Sequence, residues 1–189
     1  SWLGDRTLAQ QVEASLRGGA TMIQLREKHM DRGSILAQAL ELRELCGRYG
    51  VPLILNDDAE LAQAAGADGV HVGQSDMEAG RVRALLGEDK LIGVSARTVE
   101  QALAAQAAGA DYLGVGAMFP TGTKQDTRPV SYDTLKAICA AVDIPVVAIG
   151  GIGAGNVAEL AGSGIAGVAV VSALSAQPDV EAVTRSLRP

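Results

Sequence analysis

Short runs of β-branched and aliphatic residues alternate with longer stretches rich in Ala and Leu along most of the chain. The short runs predict strands at 21–25, 53–56, 69–72, 91–94, 112–116, 146–149 and 167–171. Each is too short for a typical helix and is bounded by Gly, Pro or polar residues. They lack clean polar/apolar alternation, as expected of parallel strands covered on both faces. The longer stretches predict helices. Leu8, Val12 and Leu16 recur every four residues, and Ile35, Leu36, Leu40 and Tyr49 mark a longer helix. Further helical patterns fall near 59–65, 78–86, 98–108, 132–142, 155–162 and 179–187. Thr98 with Gln101 reads as a capping box, and Val180, Val183 and Leu187 give the last helix a core face.

The turns repeat as well. Gly19, Gly66, Gly109 and Gly164 each stand at a helix end and lead straight into a strand, where glycine takes a left-handed conformation at little cost. Ala67-Asp68 and Ala110-Asp111 echo one another. The pattern indicates a single α/β domain over residues 1–189, with no linker. Eight helices and seven strands, with a helix at each end, suit either an open doubly wound sheet or a (βα)8 TIM barrel that lacks its first strand. The chain has 189 residues, just under the ~200 at the lower limit for such barrels. On the barrel reading, Ser1 is not the natural start and a strand of about five or six residues precedes it.

Composition narrows the classes. Hydrophobic residues make up 48% and charged residues 20%, so disorder is not expected. With 23 Gly but only one Trp, three Tyr and one Phe, the core is aliphatic and tightly packed. The net charge of −6 disfavours nucleic-acid binding, which needs a basic surface, but leaves room for a local anion site. The uncharged stretches 144–158 and 160–178 carry repeated Gly, Asn156, Ser163, Ser172 and Pro178, which fits a buried βα region better than a membrane span. Asp5 and Arg6 interrupt any apolar run at the start, so no secretory leader is expected. Cys46 and Cys139 sit in apolar helical patterns and read as reduced thiols of a cytoplasmic protein. A homo-oligomer is left open.

In parallel α/β folds the chemistry gathers beyond the C-terminal ends of the strands. Gln24-Leu25-Arg26-Glu27-Lys28 follows the first strand. Arg26 and Lys28, two apart in extended chain, point the same way and suit an anion; a solvated charge run is the bland alternative. Asn56-Asp57-Asp58 follows the second. Asp58 reads as a helix cap, while Asn56 and Asp57 remain candidates for a ligand or metal. Asp76, after the third strand, is either a cap or a second metal carboxylate; with Asp57 it would share one hard cation such as Mg²⁺. Ser95 ends the fourth strand. Phe119-Pro120-Thr121-Gly122-Thr123-Lys124 opens a polar loop suited to an oxyanion and to closing over substrate. Gly150-Gly151 and Val171-Ser172 follow the last two strands, where barrels commonly bind phosphate. His71 reads as a hydrogen-bonded barrel residue and His29 as exposed. The zinc spacings, nucleophile elbow, Walker loop and dinucleotide fingerprint are missing from the sequence.

Taken together these segments resemble the thiamine phosphate synthase family. The resemblance rests on the runs 19–28, Asn56-Asp57, 67–76, 93–95, 111–116, 119–124 and 148–152, in order along nearly the whole chain. It implies a (βα)8 barrel that joins hydroxymethylpyrimidine diphosphate to a thiazole phosphate and releases pyrophosphate. By residue, it implies that Gln24, Leu25, Arg26, Glu27, Lys28, Asn56, Ser95 and Lys124 hold the pyrimidine diphosphate. Arg26, Lys28, Ser95 and Lys124 would serve catalysis, and Asp57 and Asp76 would bind Mg²⁺. Thr121, Gly122, Thr123, Gly151, Val171 and Ser172 would hold the thiazole phosphate. Where the family often has Thr-Thr-Thr-Lys this chain has Thr121-Gly122-Thr123-Lys124, which puts one side-chain contact in doubt. Two rival readings share the barrel: a thiazole tautomerase, which needs neither diphosphate nor Mg²⁺, and a non-catalytic sensor of a phosphorylated ligand. Asp57, Asp76, Asn56 and Ser95 argue against the first.

Overall fold

The computed structural model describes residues 3, 5–120, 129–175 and 177–187. Among them, seven strands form one parallel sheet in sequential order: β1 (Ile23–Leu25), β2 (Leu53–Asn56), β3 (Gly69–Val72), β4 (Leu91–Ala96), β5 (Tyr112–Gly116), β6 (Val146–Ile149) and β7 (Gly167–Ala169). Seven α-helices alternate with them: α1 (Leu8–Arg17), α2 (Arg32–Tyr49), α3 (Ala59–Ala65), α4 (Ala79–Leu86), α5 (Val99–Ala107), α6 (Tyr132–Ala141) and α7 (Val180–Ser186). The expected alternation of strand and helix is therefore present. All seven strands fall where the aliphatic runs lie; β1 and β7 are shorter than expected and β4 longer.

One expected helix is different. Residues 155–162 hold a single 3₁₀ turn, Val157–Leu160. Asn156 explains the change. Its side chain accepts from the Gly153 N–H at 2.9 Å and donates to the Gly151 carbonyl at 2.9 Å. The amide thereby ties up the preceding glycine loop where an α-helix would have to start.

The strand register sorts the side chains. Gln24 pairs with Ile54, Asn56 with His71, His71 with Gly93, Gly93 with Tyr112, and Ser95 with Gly114. Side chains alternate faces along a strand, so these residues share one face. The opposite face carries Leu53, Leu55, Val70, Val72, Ile92, Val94, Leu113, Val115, Val146 and Ala148, all in the main core with residues of the helices. The central strands thus do alternate, contrary to the sequence expectation. Their second set of positions is glycine and polar groups, which a hydrophobic pattern does not register.

The sheet curls, and the helical layer joins its ends. α1 packs against both α2 and α7. Arg17 ion-pairs with Glu181 at 3.3 Å, Arg6 donates to the Gln177 carbonyl at 2.7 Å, and Gln11 donates to the Leu174 carbonyl at 2.8 Å. Gly18 lies so near α7 that a Cβ there would come within 2.6 Å of the Glu181 carbonyl and of Thr184. No pairing joins β7 to β1 among the described residues, so the sheet is a curled seven-stranded half-barrel rather than a closed (βα)8 barrel.

The repeated Ala-Asp turns act as clamps on the sheet. Asp68 accepts the Leu53 N–H at 2.8 Å and Asp111 accepts the Ile92 N–H at 2.7 Å, while each donates its own N–H to the same neighbouring strand. Asp111 is held in turn by the half-buried Arg83 at 2.7 Å.

Candidate functional site

Parallel strands put all their C-terminal ends on one edge, and there the candidates collect. Arg26 to Lys28 follow β1, Asn56 ends β2 and Asp57 follows it, Asp76 lies past β3, Ser95 stands near the end of β4, Gly151 follows β6, and Val171 and Ser172 follow β7. Thr121, Gly122, Thr123 and Lys124 lie outside the described residues. The polar face of the sheet forms the floor beneath this edge.

Asp57 and Asp76 meet. Asp57 is tethered by its N–H to the His71 carbonyl at 2.8 Å. Asp76 is tied to its own turn, accepting the Gly73 N–H at 2.6 Å, and it does not cap α4; Glu78 does. Burial raises the pKa of Asp57 above the ordinary carboxylate value, and the charge of Asp76 and a hydrogen bond with it raise it further. Lys28 and Arg26 pull it back down, which places both cations within electrostatic reach of the pair. Two carboxylates in contact need a proton or a cation between them. Their all-oxygen chemistry fits a hard divalent ion. Among the described residues no group of three or more His, Cys, Asp or Glu gathers, so such an ion would take its other ligands from water and substrate oxygens.

Other residues have structural tasks. Asp58 caps α3, accepting the Leu61 N–H at 2.8 Å, as its position suggested. Glu27 turns back on its own loop and accepts the N–H groups of Lys28 at 2.7 Å and His29 at 3.0 Å. Those two bonds lower its pKa and set the path along which Lys28 is presented. His29 is exposed. Gly151 has a φ of +68°, and a Cβ there would come within 2.7 Å of the Pro120 carbonyl; glycine lets the β6 loop lie against the chain that follows β5. Val171 and Ser172 are exposed in a turn after β7. A cleft of about 260 Å³ lined by Asn56, Asp57, Glu27 and Arg32 opens beside Asp57. Another of about 270 Å³ lies between α1 and α2, away from the strand ends.

His71 is hydrogen-bonded within the sheet, as its place in a strand suggests: its Nε2 lies 2.9 Å from the Ser95 hydroxyl and its Nδ1 lies 3.1 Å from the Tyr112 hydroxyl. Two further groups carry no role in the sequence pattern. Gln74 donates to the Ser95 carbonyl at 2.7 Å and ties the β3 and β4 ends together. Arg97 donates to the Gly116 carbonyl at 3.0 Å. Its spacing from Ser95, two residues on in the strand direction, was the available signal.

Residues 1–174 match the family model described as thiamine monophosphate synthase. The chain is 48% identical to the thiamine-phosphate synthase of Ruminiclostridium cellulolyticum over 98% of this chain and 88% of that protein. It is 52% identical to that of Chloroflexus aurantiacus over 94% of this chain and 82% of that protein. The solved thiamine phosphate pyrophosphorylase of Pyrococcus furiosus superposes with a TM-score of 0.88 at 37% identity, covering 96% of this chain and 88% of that one.

Proposed function

The chain belongs to the thiamine monophosphate synthase family, and on that premise we propose that it is a Mg²⁺-dependent transferase. It joins 4-amino-5-hydroxymethyl-2-methylpyrimidine diphosphate to thiazole phosphate, forming thiamine phosphate and releasing pyrophosphate. The observation that carries this reading is the Asp57–Asp76 contact with Lys28 and Arg26 in electrostatic reach. Carboxylates that need a cation, beside cations that need an anion, suit a metal–diphosphate.

The reaction asks for no protein nucleophile. The bond between the pyrimidine methylene and the diphosphate oxygen breaks, and pyrophosphate keeps the electron pair. The thiazole nitrogen gives its own pair to the cation-like methylene, forming the carbon–nitrogen bond. Arg26 and Lys28 stabilise the negative charge that collects on the leaving oxygens. Asp57 and Asp76 would hold the Mg²⁺, which when bound supplies further neutralisation of phosphate charge. Gln24, Leu25, Asn56 and Ser95 position the pyrimidine. Glu27 shapes the loop that carries Lys28. Gly151, Val171 and Ser172 offer the thiazole phosphate a site at the loops after the last two strands. Lys124 and the run Thr121-Gly122-Thr123 take their proposed roles from the family pattern alone. Holding both substrates in line supplies much of the acceleration.

The deciding experiment is pyrophosphate release with each substrate omitted in turn and with Mg²⁺ removed. Release that requires both substrates and the metal is the expected result. No release from the intact protein overturns the reading. Isomerisation of a thiazole phosphate without diphosphate or metal would replace it with the tautomerase.

A further inference from the structure

The glycine loop after β6 is held from two sides. On one side the Met118 N–H donates to the Ile149 carbonyl at 2.9 Å, and the Phe119 N–H donates to the Gly150 carbonyl at 3.1 Å. On the other, half-buried Asn156 accepts the Gly153 N–H and donates to the Gly151 carbonyl, each at 2.9 Å. Its amide has one orientation, because an N–H only donates and a carbonyl only accepts. A Cβ on Gly153 would lie 3.6 Å from the Ala173 Cβ, so the loop rests against the turn that carries Ser172.

These bonds use the loop's carbonyls and leave its donors. In a trans peptide the carbonyl and the next N–H point opposite ways. Fixing the Gly150 carbonyl on Phe119 turns the Gly151 N–H away from that segment. Fixing the Gly151 carbonyl on Asn156 turns the Ile152 N–H away from the Asn156 amide. Among the described residues neither N–H has a carbonyl or side-chain partner. Ile152 is only 3% exposed, and buried backbone donors are nearly always paired. Two successive unpaired donors mark a place kept for an acceptor from outside the chain. The chain forgoes an α-helix to keep them, since only the 3₁₀ turn Val157–Leu160 follows.

We propose that Asn156 is a positioning residue for the second substrate: by holding the Gly151 carbonyl and the Gly153 N–H, it presents the Gly151 and Ile152 N–H groups to the oxygens of a phosphate monoester. Backbone donors hold such an anion without a charged side chain, in keeping with the uncharged stretch 144–158. The inference rests on the proposed reaction, in which Gly151 meets the thiazole phosphate, and adds the residue that shapes that meeting.

Asn156→Ala removes the amide from a residue outside the proposed substrate contacts. It raises KM for thiazole phosphate about tenfold, the loss of one hydrogen bond to a charged acceptor, with KM for the pyrimidine diphosphate unchanged. Nuclear magnetic resonance reads the same event directly. Thiazole phosphate moves the Gly151 and Ile152 amide resonances of the wild type, and the variant loses those shifts at the same concentration. Where the alanine variant does not fold, Asn156→Asp, which keeps the acceptor for Gly153 and loses the donor for Gly151, gives the same selective loss. A purely structural role lowers Tm and moves neither reading. An unchanged KM, an equal rise for both substrates, or wild-type amide resonances that ignore thiazole phosphate overturn the inference while leaving the proposed reaction standing. A wild type that releases no pyrophosphate from the two substrates overturns that reaction and the inference with it.

Discussion

Asp57 has a φ of +67°, a conformation that the other described positive-φ residues, all glycines, adopt without a Cβ. Aspartate and asparagine tolerate it better than most side chains. Asp57→Asn therefore keeps the backbone and removes the charge. The pKa of Asp57 is raised in the folded chain, so the folded state holds the proton more tightly than the unfolded one. The stabilisation from that proton is complete below the ordinary value of 3.8 and is lost as pH rises through the folded value. Above it, the ionised Asp57 faces Asp76 at a cost. In metal-free buffer at neutral pH, Asp57→Asn should melt higher than the wild type, with the gap closing as pH falls toward 3.8. The same variant should lose the rise in Tm that Mg²⁺ gives the wild type. Arg26→Ala, which takes a cation from the leaving group, should lower kcat by about 10²–10³ with the Tm unchanged. Lys124→Ala should lower kcat while the fold is retained; a full-rate variant removes Lys124 from the mechanism.

At the scale of elements, the strands were legible because Gly, Pro and polar residues bracket each aliphatic run. The repeated Ala-Asp turn was visible as an echo, but its task was not. Asp68 and Asp111 each clamp the preceding strand through partners 15 and 19 residues away, a separation no local pattern reports. Asp111→Ala strands the Ile92 N–H and leaves the half-buried Arg83, still bonded to the Lys90 and Gly109 carbonyls, without its counter-charge; it should cost about 1–3 kcal/mol in urea unfolding. The 3₁₀ turn was missed because Val157 and Leu160 have helical spacing while the Asn156 amide takes the preceding backbone for itself. Of the site, the residues at the strand ends could be read from position along each βα unit. The bonds from His71 to Ser95 and Tyr112 span 24 and 41 residues and appear only once three strands, β3 to β5, stand in register.

Over the whole molecule, the ends of the curl meet through side-by-side helices. Gly18 is the close point of α1 and α7, so Gly18→Val should force them apart and cost about 1–3 kcal/mol, read as a lower urea midpoint with the slope unchanged. The two faces of the sheet divide the positions of the chain into nearly separate alphabets. Alternate residues of the same strand answer either to the aliphatic core or to the ligand chamber. A library randomised only at inward positions such as Gln24, Asn56 and Ser95 should return many folded proteins with altered ligand preference; one randomised at Leu55, Val70, Ile92 and Val115 should return mostly chains that fail to fold. New specificities can therefore arise by drift on one side of a strand while its neighbours hold still, and lineages sharing this scaffold would diverge in chemistry faster than in architecture.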